Sequence, residues 1–342
     1  MNAETPALPV LPAALEGLIT ATEWPQLAPL VAEINRLKID RDAVILAHNY
    51  MRPEIFHCVA DITGDSLALA QKAVEATASV IVMAGVHFMA ETAKVLNPDK
   101  VVLMPDLQAG CSLAEAITAD DVRRLKAEHP GLPVVVYVNT SAEVKAEADV
   151  CCTSGNAVQV VESICAEWGV DRCLLLPDRY LAENIAAQTR YGIISFPGAC
   201  EVHELYTPED IADIRDSFGD DLVVIAHPEC PRPVVEAADF AGSTAQMIDF
   251  IRDQSPARVL LVTECSMGEN LMASAPQTEF IRACNMCPHM KRITLEKIRD
   301  SLLTLDPQIT VDPAIAHKAR LSVDRMLACG RNTPIAPEPE AR

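Results

Sequence analysis

The chain reads as an α/β protein of three similar αβα modules, each with three parallel strands, set about a pseudo-threefold axis. Three observations predict this. Short, continuous β-branched runs alternate with amphipathic stretches, the pattern of parallel strands buried on both faces and linked by helices. The alternation repeats: Cys111, Cys200 and Cys287 lie 89 and 87 residues apart and close similar local sequences, VVLMPDLQAGC, YGIISFPGAC and TEFIRACNMC. Ordered markers accompany the cysteines. The runs VILAHNY (44–50), VVVYVNT (134–140) and LVVIAHP (222–228) are each followed by an acid, Asp61, Asp149 or Asp239, and then by a hydroxyl, Ser66, Ser154 or Thr244. Further on come Glu91, Glu183 and Glu269 in MAETAKVL, LAENIAAQ and MGENLMAS.

The elements follow in order. Residues 1–25 are rich in Pro and Ala and are expected to form a flexible tail. Module one, 26–111, supplies the strand VILAH, the helix SLALAQKAVEAT, the strand ASVIVMAG, the helix ETAKVL and the strand VVLMP. Module two, 112–200, gives VVVYVN, AVQVVESICAEW, RCLLLP, ENIAAQT and GIISF. Module three, 201–287, gives LVVIAH, AQMIDFIRDQ, RVLLV, a helix around ENLMAS and a weak third strand, TEFIRA. Linking helices at 118–129 and 207–218 open with Thr followed by acids, the side chains that satisfy free N–H groups at a helix start, and the same T-x-E pattern recurs at 294–303. Residues 288–330 are expected to form helices packing on module one, and 331–342 a flexible tail.

Composition narrows the function. Half the residues are hydrophobic, so core material is ample. A net charge of −20 argues against nucleic-acid partners, which need a cationic footprint, while a local positive field could still receive a small anion. The N-terminus has no basic start of a signal peptide, and no apolar run approaches the ~20 residues that span a bilayer. A cytoplasmic chain without a membrane partner is expected, so its twelve cysteines point to metal or redox chemistry rather than structural disulfides. Cys165 and Cys173 sit in apolar runs and read as small buried hydrophobes.

Strand ends in a parallel sheet collect ligands, and there this chain carries its polar residues. Three equivalent thiols converging on a pseudo-threefold axis make a platform for a metal or cluster with a fourth position open. Cys284-x-x-Cys287 alone fits half a zinc site, a redox pair or a cluster run, and oxidation could join the two thiols. A second ring comprises His48, Asn49 and Tyr50, then Tyr137 and Asn139, then His227 and Glu229, with His48, Asn139 and His227 in register; His203 is expected to face the same cavity. A third ring of helix-opening hydroxyls, Ser66, Ser154, Ser243 and Thr244, suits a small polyanion held by dipoles and hydroxyls. A zinc hydrolase and a cluster-based sensor remain alternatives.

The motifs HNYMRPEI, DITGDSLALA, GVHFMAETAK, PDLQAGCSLA, YVNTSAEVKAEADVCCTS, PGACEVHE, AHPEC and CNMCPHMK strongly resemble quinolinate synthase, the A protein family of bacterial NAD biosynthesis. The resemblance covers roughly residues 40–300. It implies three Rossmann-like modules around a central iron–sulfur site, with one 4Fe–4S cluster per chain held by Cys111, Cys200 and Cys287 and acting as a Lewis acid. It also implies condensation of iminoaspartate, supplied by L-aspartate oxidase, with dihydroxyacetone phosphate to give quinolinate, phosphate and water. Family substrate-site residues map onto His48, Tyr50, Ser66, Tyr137, Asn139, Ser154, His203, His227, Glu229, Ser243 and Thr244. Of these, Glu229, Tyr50, His48 and His227 are expected to move protons.

Overall fold

Every strand pairing within the three sheets of the computed structural model is parallel; the structure describes residues 10–219 and 221–329. The first module runs α1 (Trp24–Asp40), β1 (Ala43–His48), α2 (Pro53–Cys58), β2 (Ile62–Gly64), α3 (Ser66–Glu75), β3 (Val80–Ala84), α4 (His87–Leu96), β4 (Val101–Leu103). The second, after a short α5 (Ser112–Ala116), runs α6 (Ala119–Glu128), β5 (Val134–Tyr137), α7 (Ala142–Ala146), β6 (Val150–Cys152), α8 (Ala157–Trp168), β7 (Arg172–Leu176), α9 (Arg179–Ala186), β8 (Gly192–Ser195). The third runs α10 (Pro208–Phe218), β9 (Leu222–Ala226), α11 (Arg232–Ala237), β10 (Phe240–Ala241), α12 (Thr244–Gln254), β11 (Arg258–Val262), α13 (Ser266–Leu271), β12 (Glu279–Ile281). Two helices follow, α14 (Leu295–Thr304) and α15 (Pro313–Cys329).

Each sheet has four strands rather than the three expected from the sequence. The additions are the edge strands β2, β6 and β10, two or three residues long and too short to show any hydrophobic period. The orders β2-β1-β3-β4, β6-β5-β7-β8 and β10-β9-β11-β12 are the same topology three times. In this order the chain reverses direction across the sheet between the first and third strands. That switch point opens a crevice at the strands' carboxyl ends.

The repeated aspartates explain why each module closes the same way. Asp61, Asp149 and Asp239 each accept the N–H of a first-strand residue, Ile45 at 2.8 Å, Val134 at 2.7 Å and Val224 at 2.7 Å. Each also pairs with a base on the helix before that strand: Lys38 at 2.7 Å, Lys126 at 3.6 Å and Arg215 at 2.8 Å. One carboxylate thus ties the edge strand, the central strand and the flanking helix together.

The residue after the repeated glutamate joins modules. Asn184 on α9 donates both amide hydrogens to the carbonyls of Pro228 and Cys230, at 2.8 and 2.9 Å. Asn270 on α13 does the same to Asn49 and Met51, at 2.9 and 2.8 Å. Each amide satisfies two buried carbonyls of the next module's strand-end loop, which would otherwise cost about 1–3 kcal/mol apiece. Between modules one and two the glutamate itself reaches across, Glu91 accepting from Ala142 N–H at 3.0 Å.

Thr118 and Thr207 close capping boxes with Asp121 and Asp210, and Thr294 caps α14. The hydroxyl ring behaves less uniformly than expected. Ser243 caps α12, Ser66 is the first helical residue behind the cap Asp65, and Ser154 precedes α8, whose N-cap position is Asn156. Both C-terminal helices were expected on module one. α14 lies there, against α1 and β3, whereas α15 lies mainly against α7 and β6, with a smaller contact to α4. Within the expected N-terminal tail, Leu15 is fully buried in a small cluster with Trp24 and Ala28; residues 1–9 and the tail at 331–342 lie outside the described residues. Among the described residues no helix is long and apolar enough to cross a membrane.

Candidate active site

The three cysteines are equivalent in three dimensions as well as in sequence. In each module the residue entering the helix after the third strand donates its N–H to a carbonyl two residues before the cysteine: His87 to Ala109, Arg179 to Gly198, Cys265 to Asn285. Each cysteine carbonyl then accepts from the residue four further on, Glu115, Glu204 or Lys291. The same turn is built three times, and it brings Cys111, Cys200 and Cys287 to one cavity of about 80 Å³.

The strand-end residues meet the cysteines there, in a register that differs from the expected one. Pairing to the edge strand sets Leu46, Val135 and Ile225 at one level, so His48, Tyr137 and His227 are equivalent, and two residues on, Tyr50, Asn139 and Glu229. Asn139 therefore does not stack with the histidines; Tyr137 does. The sheet register overrides a count along the chain because loop lengths differ between modules.

His48, Tyr50, Ser66, Tyr137, Asn139 and Ser154 all line the cavity, as do His203, His227, Glu229 and Thr244. Ser243 does not line it: its Oγ accepts the Gln246 N–H of the α12 cap at 3.4 Å, and it packs against Gly155, where a Cβ would approach that Oγ to 3.0 Å. Missed by sequence reasoning were Thr263 and the buried pair Glu264–Lys291. Lys291 Nζ lies 2.7 Å from Glu264 and donates to the Tyr50 carbonyl at 2.8 Å, while Glu264 also accepts from Cys287 N–H at 3.3 Å. Glu264 occupies the position that Asp178 holds in module two, each forming the same isolated bridge, but an acid repeated once among many carries little signal.

Glu229 is the hub. Its Oε1 accepts from Tyr137 Oη at 2.5 Å and Asn139 Nδ2 at 3.5 Å, and its Oε2 lies 2.8 Å from His203 Nδ1. Burial pushes the carboxyl up, but His227, His203 and the accepted hydrogen bonds outweigh it and hold Glu229 below the usual carboxylate range. Burial pushes His48 down to about 4 and His227 to about 3, against the opposing pull of Glu229. Both rings are thus neutral at pH 7. His48 Nδ1 accepts from Tyr50 N–H and His227 Nδ1 from Glu229 N–H, both at 3.2 Å, so each ring carries its hydrogen on Nε2. His227 Nε2 lies 3.3 Å from Ser154 Oγ and spends that hydrogen there, and the same hydroxyl also hydrogen-bonds Tyr137. Thr244 Oγ1 accepts from Asn49 at 2.9 Å and keeps its own hydrogen to give. Burial, and next Glu229, push the Tyr50 and Tyr137 phenols well up, so both stay protonated. Among the described residues, no Lys or Arg lines the cavity, and the Asn139 Oδ1 is buried without a partner.

The thiols suit a metal group. Burial pushes Cys111 up to about 12, Cys200 well above its ordinary value, and Cys287 up as well. Cys111 also feels Cys287, and Cys200 feels Cys111. Three half-buried thiols lining one cavity become thiolates when a cationic centre sits among them. Among the described residues the one trio close enough for a single ion is Cys200, His203 and Glu229, with donor atoms within 4.8 Å of one another. Cys111 and Cys287 lie outside that set, so the three thiols fit a centre of several metal atoms better than the single zinc of the hydrolase alternative. Cys284 is not paired with Cys287 but is disulfide-bonded to Cys265, Cα–Cα 5.0 Å. The Cys265–Asn285 backbone bond sets those two cysteines side by side, while Cys287 turns into the cavity. Cys165 and Cys173 are fully buried, away from it.

Comparison with known proteins places the chain in a family. The NadA family, described as quinolinate synthetase A protein, matches residues 32–328. Quinolinate synthase 2 of Mesorhizobium japonicum is 60% identical over 314 residues, 92% of this chain and 95% of its own. Quinolinate synthase of Agrobacterium fabrum is 59% identical over 310 residues, 91% and 88% of the two chains, and that of Caulobacter vibrioides 57% over 309, 90% and 84%. A match of this extent, on a chain whose three modules converge as described, means that the protein belongs to the quinolinate synthetase A family of enzymes.

Proposed function

We propose that this enzyme condenses iminoaspartate with dihydroxyacetone phosphate to quinolinate, releasing phosphate and water, as a cytoplasmic step of NAD biosynthesis fed by an L-aspartate oxidase. The observation that carries the reading is the opening of three equivalent cysteines onto the same cavity as the Glu229 network. One 4Fe–4S cluster held by Cys111, Cys200 and Cys287 would supply a Lewis-acidic iron with one open position.

The chain's own residues account for binding and proton handling. The hydrogen of Thr244, the His48 Nε2–H and the N-termini of α3 and α12 at Ser66 and Thr244 offer donors to carboxylate or phosphate oxygens without a cationic side chain, and Ser154 adds a hydroxyl to the cavity wall. Glu229 enters ionised; a substrate carboxylate arriving beside it raises its proton affinity and so makes it a base when substrate is present. Tyr50, His48 and His227 complete the proton-handling set around it. Burial of the cavity walls keeps water from competing for reactive imine and enol intermediates.

The test is anaerobic purification with iron and sulfide analysis beside a quinolinate-formation assay. Wild type and Cys165→Ser should be brown and active. Cys111→Ser, Cys200→Ser and Cys287→Ser should each lose chromophore and activity. Full cluster loading in Cys287→Ser would overturn the ligand set, and bound metal without sulfide would favour an ion at Cys200, His203 and Glu229 instead.

A further inference from the structure

Two residues beyond each cysteine the three turns are equivalent, and the backbone N–H there points at the sulfur: Leu113 at Cys111, Val202 at Cys200 and His289 at Cys287. Leu113 and Val202 are buried apolar side chains. His289 is neither: its side chain is 21% exposed and also lines the cavity. A ring with one side to the cavity and another to solvent is part of the wall between them.

Residues beside the cysteines close that wall around the pseudo-threefold axis. Between modules one and two, Ser112 Oγ donates to the Ala199 carbonyl at 3.2 Å and accepts the Glu201 N–H at 3.1 Å. Between modules two and three, His289 Nε2 stands 2.9 Å from Glu201 Oε1. Between modules three and one, the other edge of the imidazole lies over Gly110: a Cβ there would touch its Nδ1 and Cε1 at 3.5 Å. One ring therefore meets all three cysteine turns. The seams differ in strength. Ser112 makes two hydrogen bonds to backbone, whereas the His289–Glu201 approach is close but off the hydrogen-bond line, which leaves Glu201 Oε1 without an aligned donor. A partly exposed ion-pair contact of this kind contributes little, so it is the weaker of the two.

We propose that the His289 ring is a plug at the cysteine end of the cavity, held by Glu201 across the seam of modules two and three, and that its outward swing is the route by which small reagents in solvent reach the three thiols. The same swing exposes the iron–sulfur group those thiols hold. That second clause rests on the three-cysteine reading given above; the plug itself does not.

Two measurements on the full-length enzyme test it. Cluster-loaded protein is mixed anaerobically with a ferrous chelator and its visible absorbance followed; cluster-free protein is treated with iodoacetamide and each cysteine quantified by mass spectrometry. His289→Ala should speed both bleaching and the alkylation of Cys111, Cys200 and Cys287 about 10-fold, the effect of about 1.4 kcal/mol on a local opening. Cys165, fully buried away from the cavity, should keep its wild-type rate. Glu201→Ala frees the ring without removing it and should give about 3-fold. Because Glu201 acts through His289, the double variant should be no faster than His289→Ala alone. Wild-type rates in His289→Ala overturn the inference, and so does a double variant in which the two effects multiply. Should His289→Ala also expose Cys165, it has loosened as a whole; Glu201→Ala then decides, and wild-type rates in it overturn the inference. Faster alkylation in a protein that never takes up sulfide would sink the three-cysteine reading and leave the plug standing.

Discussion

Replacing Glu229 by Gln probes the centre of the network at nearly constant shape. A carboxylate can only accept here, and it does so from Tyr137 at 2.5 Å, His203 at 2.8 Å and Asn139 at 3.5 Å. The amide has one oxygen and one NH₂. With its oxygen toward Tyr137, the NH₂ meets the His203 Nδ1–H donor against donor; turned over, it opposes the Tyr137 and Asn139 donors. One charge-assisted hydrogen bond is lost either way, worth about 1.5–3 kcal/mol, and the proton-transfer group disappears, worth ~10²–10⁴-fold in rate. Turnover should therefore fall at least ~100-fold. Folding should change little, because the substitution also removes the cost of burying a charge. Cluster absorbance, quinolinate binding and single-turnover quinolinate formation on the same preparation decide the matter. Near-wild-type turnover with the cluster intact would remove Glu229 from proton transfer and leave Tyr50 as the leading group. Loss of cluster would refute the view that Glu229 acts on substrate rather than as a metal ligand.

Ser154→Ala removes a cavity-lining hydroxyl and strands the His227 Nε2–H, so KM should rise about 5- to 10-fold with kcat changed less; an unchanged KM would take Ser154 out of substrate binding. His48 and His227 are buried neutral, at about 4 and about 3. Below the unfolded value of about 6.5 the unfolded chain takes up protons that these two rings refuse. Stability is therefore full above that pH and falls as pH drops, by about 1.4 kcal/mol per pH unit for each histidine down to its folded value. Denaturant midpoints of cluster-free protein between pH 7.5 and 5 should show this slope roughly halved in His227→Asn, and a flat profile would contradict the burial.

Much of this protein is determined by spacing along the chain. Cys111, Cys200 and Cys287, the three aspartates behind the central strands and the glutamates on the later helices recur because a threefold scaffold must build the same turn and the same junction three times. Thiols, imidazoles and a carboxylate at strand ends then mark a site, since parallel strands present their carboxyl ends to one crevice. Tertiary structure decided what spacing could not. Edge strands of two or three residues exist only through pairing with a neighbour, and their pairing put Tyr137, not Asn139, level with the histidines. The repeat groups Ser243 with Ser66 and Ser154, but in the fold Ser243 caps α12 while Ser66 and Ser154 line the cavity. Cys284 found Cys265 rather than its near neighbour Cys287, because a backbone bond across two strand ends outranks closeness in sequence. Thr263 and Lys291 belong to no periodic pattern, and Glu264 is matched only by Asp178 of module two: a residue that makes one module unlike the others becomes visible only when its partners from the other modules are beside it.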